Sequence, residues 1–192
     1  MVEDQNLEFS VRRAQRGDRE AFEELVRRFE AKVFSIALKM TADPNDAKDV
    51  VQEVFLRVFR SLRTFDAARN FGVWLARIAV NCSYDWLRKR GRGDRTESLD
   101  ELFEANPGVL QYEPSETPEE RLDHKRLLLS LLDALQELPP KQRGAFVLKE
   151  LEHYATSDAA SILECDEATV RRHLAEARRK LRKAMERALP KT

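Results

Sequence analysis

Residues 155–181, ATSDAASILECDEATVRRHLAEARRKL, decide how the chain is read. Ser157–Leu163 has the length and spacing of a short helix, which Thr156 can cap, with Ala160 and Leu163 facing inward. Glu164-Cys165-Asp166 makes a tight turn, with Cys165 as its small apolar plug and Asp166 as the N-cap of a long helix from Glu167. In that helix Val170, Leu174, Ala177, Leu181 and Ala184 fall on one stripe. Arg171, Arg172, Arg178, Arg179 and Lys183 lie off it. Such a helix can bury its stripe, set its first turns in a major groove, and direct arginines at phosphates and guanine edges. A plain helical hairpin with a solvated basic face would show the same stripe.

Working towards the N-terminus, Leu122, Leu128, Leu131, Leu132 and Leu135 form another helical stripe, ended by Pro139-Pro140. Pro140 suits the first turn of the next helix, Lys141–Leu151. Residues 93–118 differ: they hold prolines at 107, 114 and 118 and read as an acidic linker with several apolar side chains. Residues 7–92 read as successive helices. Asp18 can cap one carrying Ala21, Phe22, Leu25, Val26 and Phe29, and Asp43-Pro44-Asn45-Asp46 starts another over Ala47–Leu62. There Val51, Phe55, Val58 and Leu62 share a face, the helical spacing outweighing the strand propensity of Val50–Phe59. Val73–Lys89 forms the last helix of this part. The fold expected is all-α: two small helical domains, 7–92 and 119–189, on a flexible acidic linker, the second with a helix-turn-helix.

Formal net charge over the 192 residues is zero, yet the charge is laid out in blocks. Residues 69–92 hold six bases and one acid, 94–120 nine acids and one base, and 171–187 eight bases and two acids. Such blocks set local fields more than the total does. Cys82 and Cys165 lie far apart, and the three histidines stand at no ligand interval from them, so neither disulfide framework nor metal site is expected. No phosphate loop or nucleophile elbow appears, so neither catalysis nor a cofactor is expected. No apolar run approaches the roughly 20 residues that span a bilayer, and Met1–Phe9 lacks the parts of a signal peptide. The expectation is a cytoplasmic protein that is not integral to a membrane.

Two further constellations carry polar chemistry. On Val73–Lys89, Leu75, Ile78, Ala79, Cys82 and Trp86 can face a core. Arg77, Asn81, Tyr84 and Arg88 recur on another face, with Phe71 and Trp74 at the entrance. Aromatics, cations and an amide together suit unstacked bases. On the preceding helix Asp46, Asp49, Gln52 and Glu53 stand opposite the apolar stripe and could pair with a basic partner helix.

In order and content the strings DAKDVVQEVFLRVFRSL (46–62), FGVWLARIAVNCSYDWLRK (71–89), ELPPKQRGAFVLKELE (137–152) and 155–181 resemble bacterial sigma factors of the extracytoplasmic-function subgroup. The resemblance covers most of residues 10–185. It implies a non-catalytic subunit that brings core RNA polymerase to promoters and melts the −10 element, commonly held inactive by an anti-sigma factor. It places Asp46, Asp49, Gln52 and Glu53 against the polymerase clamp helices. Phe71, Trp74 and Asn81 would lie near the opened −10 strand, with Arg77 and Arg88 on its phosphates, and Thr169, Arg171, Arg172, His173 and Arg178 at the −35 duplex. The acidic linker would thread the polymerase's positively charged cleft.

Three positions depart from the family pattern. Glu164 stands where the turn usually has Gly, Glu176 where a base is frequent, and His153-Tyr154-Ala155 where Gly-Leu-Ser is usual. An acid at 176 would repel phosphate or accept from a cytosine amino group. Two other readings are open on the residues alone: a conventional regulator with a sensing or dimerising N-terminal domain, and an interaction adaptor that would need neither Asn81 nor Arg171.

Overall fold

Most helix starts are set by side chains that satisfy the first free amides. In the computed structural model, which describes residues 2–90 and 117–188, α1 (Val2–Gln15) leads to α2 (Arg19–Thr41). The Asp18 carboxylate accepts from the Ala21 amide at 3.1 Å and meets Arg13 at 2.7 Å. These partners hold it below the usual carboxylate range. α2 ends where Ala42 turns left-handed, and Asp43 restarts the chain by accepting from the Asn45 and Asp46 amides. Pro44 then opens α3 (Pro44–Ser61), followed by a 3-10 turn over Leu62–Thr64 and by α4 (Phe71–Arg90).

α3 buries Val50, Val51, Val54 and Val58, while Phe55 is only half-buried. The buried face is wider than the expected stripe of Val51, Phe55, Val58 and Leu62 and is rotated towards Val50 and Val54. The cause is burial on two sides, since α3 packs against both α2 and α4. The run of strand-forming residues is helical throughout.

The C-terminal group starts at a capping box. Thr117 and Glu120 exchange backbone and side-chain hydrogen bonds at the head of α5 (Pro118–Gln136). Of the expected stripe, Leu132 and Leu135 are buried and Leu128 and Leu131 partly so, whereas the Leu122 side chain lies outside the described residues. Pro140 occupies the first turn of α6 (Pro140–Phe146), which runs into a single π-helical turn, Val147–Leu151. α7 (Thr156–Leu163) and α8 (Glu167–Ala188) follow. Thr156 does not cap α7: the helix begins one residue earlier than expected, so Ala155 stands at the cap without a side-chain bond.

No strand occurs among the described residues, and the apolar interior runs on from one helical group into the other. α1 begins ahead of Leu7. Apart from Thr117 and Pro118, the expected linker lies outside the described residues.

Candidate nucleic-acid interface

α8 is positioned by its cap and its stripe. Asp166 accepts from the Thr169 amide at 2.6 Å, which draws its pKa down. Val170, Leu174, Ala177 and Leu181 are buried and Ala184 half-buried, as the spacing required. Cys165 is half-buried against the core as the turn's plug. Arg171, Arg172, Arg178 and Arg179 are exposed, and Thr169 and His173 are half-buried beside them. Arg171 pairs with Glu167 at 3.0 Å and Arg178 with Glu150 at 2.6 Å. Glu176 is turned away from this surface: half-buried, it accepts a short hydrogen bond from Gln142 of α6. Its carboxylate holds α8 to α6.

The Glu164 turn has left-handed backbone, φ 53° and ψ 46°, and His153 has φ 56°. These are positions where the family pattern has glycine. The backbone keeps the geometry that glycine takes freely, and a bulkier side chain bears the strain.

On α4 the expected residues separate. Phe71 is 5% exposed and sits in an aromatic cluster with Phe29, Phe65 and Trp74, at centroid distances of 5.2, 5.6 and 5.6 Å. It supports the half-buried Trp74 instead of standing at the surface, because an apolar ring at the helix entrance gains more by packing under the Arg63–Asn70 loop. Asn70 accepts from the Val73 amide and fixes the start of the helix. Arg88 is exposed and pairs with Asp85. Cys82 is buried and its thiol is pushed up to about 11 by burial, so it is a core residue.

On α3, Asp49 and Gln52 are exposed, and Glu53 is half-buried and held by Arg57 at 2.7 Å. They line a shallow groove with Leu56, Trp86 and Lys89. Asp46 is separated from them. As part of the first turn of α3 it is 7% exposed, because the helix begins at Pro44 and its N-terminus is covered. Leu56, 50% exposed, belongs to this surface and was missed. Its signal was present: Leu56 follows Gln52 by four residues, an apolar side chain on a polar helix face.

The two helical groups meet along α2 and α4. Arg77 donates to Glu164 Oε1 at 2.9 and 2.5 Å. Glu152, its side chain 3% exposed, lies between Lys32 at 2.5 Å and Lys39 at 2.6 Å and accepts from Ser35 at 2.8 Å. Burial alone would push its carboxyl up. The two ammonium groups and the hydroxyl outweigh burial and hold it low. Arg143 is buried and donates to the Met40 carbonyl across the boundary at 2.5 Å. Gly144 leaves room for the Tyr84 ring, whose oxygen is buried with no hydrogen-bond partner among the described residues. Asn81 follows Arg77 by four residues and precedes Tyr84 by three, so it lies on the same covered face and is half-buried.

Among the described residues the chain is helical and joins a helix-turn-helix to a four-helix group whose α3 bears a polar groove. The sequence matches the family model for Sigma-70 region 2 over residues 25–93 and that for Sigma-70 region 4 over 128–181. It is 32% identical to the RNA polymerase sigma-H factor of Pseudomonas aeruginosa over 96% of this chain and 94% of that one. It is 33% identical to the ECF RNA polymerase sigma-E factor of Escherichia coli K12, over 88% of each. Its fold is similar to CnrH in complex with the cytosolic domain of CnrY (TM-score 0.68, 24% identity, 93% of this chain and 96% of that chain covered). It is also similar to the sigma factor RpoE in complex with the anti-sigma factor NepR from Bartonella quintana (TM-score 0.64, 24% identity, 86% and 96% covered). The chain belongs to the extracytoplasmic-function sigma factors of the sigma-70 family, and it directs core RNA polymerase to promoters.

Proposed function

We propose that this sigma factor divides its work between α3, α4 and α8. Asp49, Gln52 and Glu53, with Leu56 beside them, receive the polymerase clamp helices; Asp46 supports the start of that helix from inside. Trp74 and Asn81 hold bases of the opened −10 strand, Phe71 props Trp74, and Arg77 and Arg88 neutralise its phosphates. Arg171, Arg172 and Arg178, flanked by Thr169 and His173, bind the −35 duplex. The observation that carries this reading is the presence in one chain of the Arg77–Asn81 face and the solvent-facing arginines of α8. No catalytic step belongs to the chain itself. It works in the cytoplasm, where the polymerase is, and no described helix is long and apolar enough to cross a membrane. Control by an anti-sigma factor is part of this reading, and the similar RpoE fold in complex with the anti-sigma factor NepR supports it.

Run-off transcription from a genomic promoter library with added core polymerase tests this. The chain should give promoter-specific starts. Asp49→Lys with Glu53→Lys should lose them through weakened core binding. Asn81→Ala should keep core binding and lose open complexes. Core binding by the wild type without specific starts refutes the division of work.

A further inference from the structure

The contact between the two helical groups is made from groups that nucleic acid would also use. Two strained corners, His153 and Glu164, flank α7, and each brings a carboxylate to the N-terminal group. Glu164 itself takes Arg77, and Glu152, adjoining His153, fills the space between Lys32 and Lys39. On α2, Arg28, Lys32, Ser35 and Lys39 follow at intervals of four, three and four residues and form one stripe. Ammonium, guanidinium and hydroxyl donors in a row suit the oxygens of a nucleic-acid backbone. A carboxylate offered to such a row has the charge and acceptor character of a phosphate oxygen. Asn81, half-buried, lies between Arg77, which Glu164 holds, and Tyr84, which packs against Gly144.

We propose that Lys32, Ser35 and Lys39 of α2, with Arg77 of α4, form a phosphate-binding site for the single promoter strand, occupied in the closed chain by Glu152 and Glu164. The C-terminal group then competes with the strand for the same cations. This rests on the reading of α4 as the strand-facing helix. The Arg77–Glu164 pair is about half exposed and weak by itself. The buried Glu152 carries most of the competition. Glycine at 164 would hold the same left-handed turn without the carboxylate, so Glu164→Gly removes the partner of Arg77 and leaves the corner in place.

The test uses the full chain and a fluorescein-labelled oligothymidylate of about 12 nucleotides, within the range of common single-strand sites. Binding is read by anisotropy at several salt concentrations. Glu152→Gln with Glu164→Gly should bind at least about tenfold more tightly than the wild type, because apparent affinity scales with the open fraction. Adding Lys32→Ala and Lys39→Ala should remove that gain and flatten the salt dependence, since fewer phosphates are neutralised. A folded double variant that binds no better overturns the proposal, as does a gain that survives loss of both lysines. Should the double variant unfold, Glu164→Gly alone, which relieves the turn, should still tighten binding about threefold, and no change overturns the proposal. Run-off transcription by the wild type is scored in parallel. Promoter-specific starts without the affinity gain overturn the competition alone, and absence of starts overturns the reading of α4 as the strand-facing helix beneath it.

Discussion

α4 and α8 both carry arginines that the proposed division of work assigns to DNA, but the closed chain treats them differently. On α8, Arg171, Arg172 and Arg179 face solvent, and the carboxylates that touch its cations, Glu150 and Glu167, come from the same helical group. On α4 the carboxylate on Arg77 comes from the other group, Asn81 is half-covered, and the Tyr84 oxygen is buried beneath α6. On the proposed reading one reader is therefore usable as the chain stands, whereas the other becomes usable when the groups part. Duplex binding at −35 would then need no rearrangement and strand capture at −10 would. That is the order in which a promoter presents the two: the duplex exists first, and the single strand appears only on melting.

The largest break in this comparison should come from Gly144→Ala. A Cβ there would lie 2.4 Å from the Tyr84 oxygen and 3.1 Å from Leu163 Cδ2. The oxygen ends a rigid ring, so relief comes from withdrawing α4 from α6, at a cost of about 1–3 kcal/mol to the closed form. Oligothymidylate affinity of the free chain should rise by roughly 5- to 150-fold, with −35 duplex affinity of the same chain within about twofold of wild type. If duplex affinity falls instead, the strain has gone into Leu163 and the helix-turn-helix, and the asymmetry between the two readers is wrong.

The elements of both readers were legible because their signals are local. Asp18, the Asp43-Pro44 start, Pro140, the Asp166 cap and the Val170–Leu181 stripe each act within a turn or two of chain, where spacing dictates the outcome. Phe71 and Asp46 were placed on surfaces for the same local reasons, and tertiary packing buried both. Whether a residue at a helix start is exposed depends on what crosses it. The Glu152 contact was illegible: its partners Lys32 and Lys39 lie more than a hundred residues away in sequence, and nothing near residue 152 announces them. Glu164 and His153 were visible as departures from a glycine pattern. Their meaning, left-handed backbone at two corners that both touch the other group, appears only in three dimensions.

Acidification should sharpen the comparison by a smaller amount. The folded-state pKa of Glu152 lies below its unfolded value of about 4.3. Its stabilisation of the closed form is therefore complete above that value and is lost as pH falls through the folded one. Facing it are the Lys32 and Lys39 side chains and Tyr154, whose phenol is pushed up to about 12 by burial and stays neutral. Energy transfer between dyes on α3 and α8 should fall below about pH 4.3 in the wild type. In Glu152→Gln it should start lower and change less over the same interval. Parallel curves for the two chains would remove Glu152 from the closure, with helicity followed by circular dichroism to separate opening from unfolding.

The smallest effect, and the one of opposite sign, concerns Tyr84→Phe. In the closed chain the Tyr84 hydroxyl is buried without a hydrogen-bond partner among the described residues, and burial raises its pKa so that it remains neutral. Opening the groups returns it to water. The hydroxyl therefore works against closure, and removing it should favour the closed form by about 1 kcal/mol. Oligothymidylate binding to the free chain should weaken by roughly fivefold, the factor that corresponds to that energy, while −35 duplex binding stays as it was. Phenylalanine keeps the ring against Gly144, so packing is held constant and only the polar group is removed. Tighter strand binding by the variant would mean that the hydroxyl is satisfied in the closed chain. The contact over Gly144 would then contribute to closure through a hydrogen bond, and the α4 face would be held shut by polar bonds at Tyr84 as well as at Arg77.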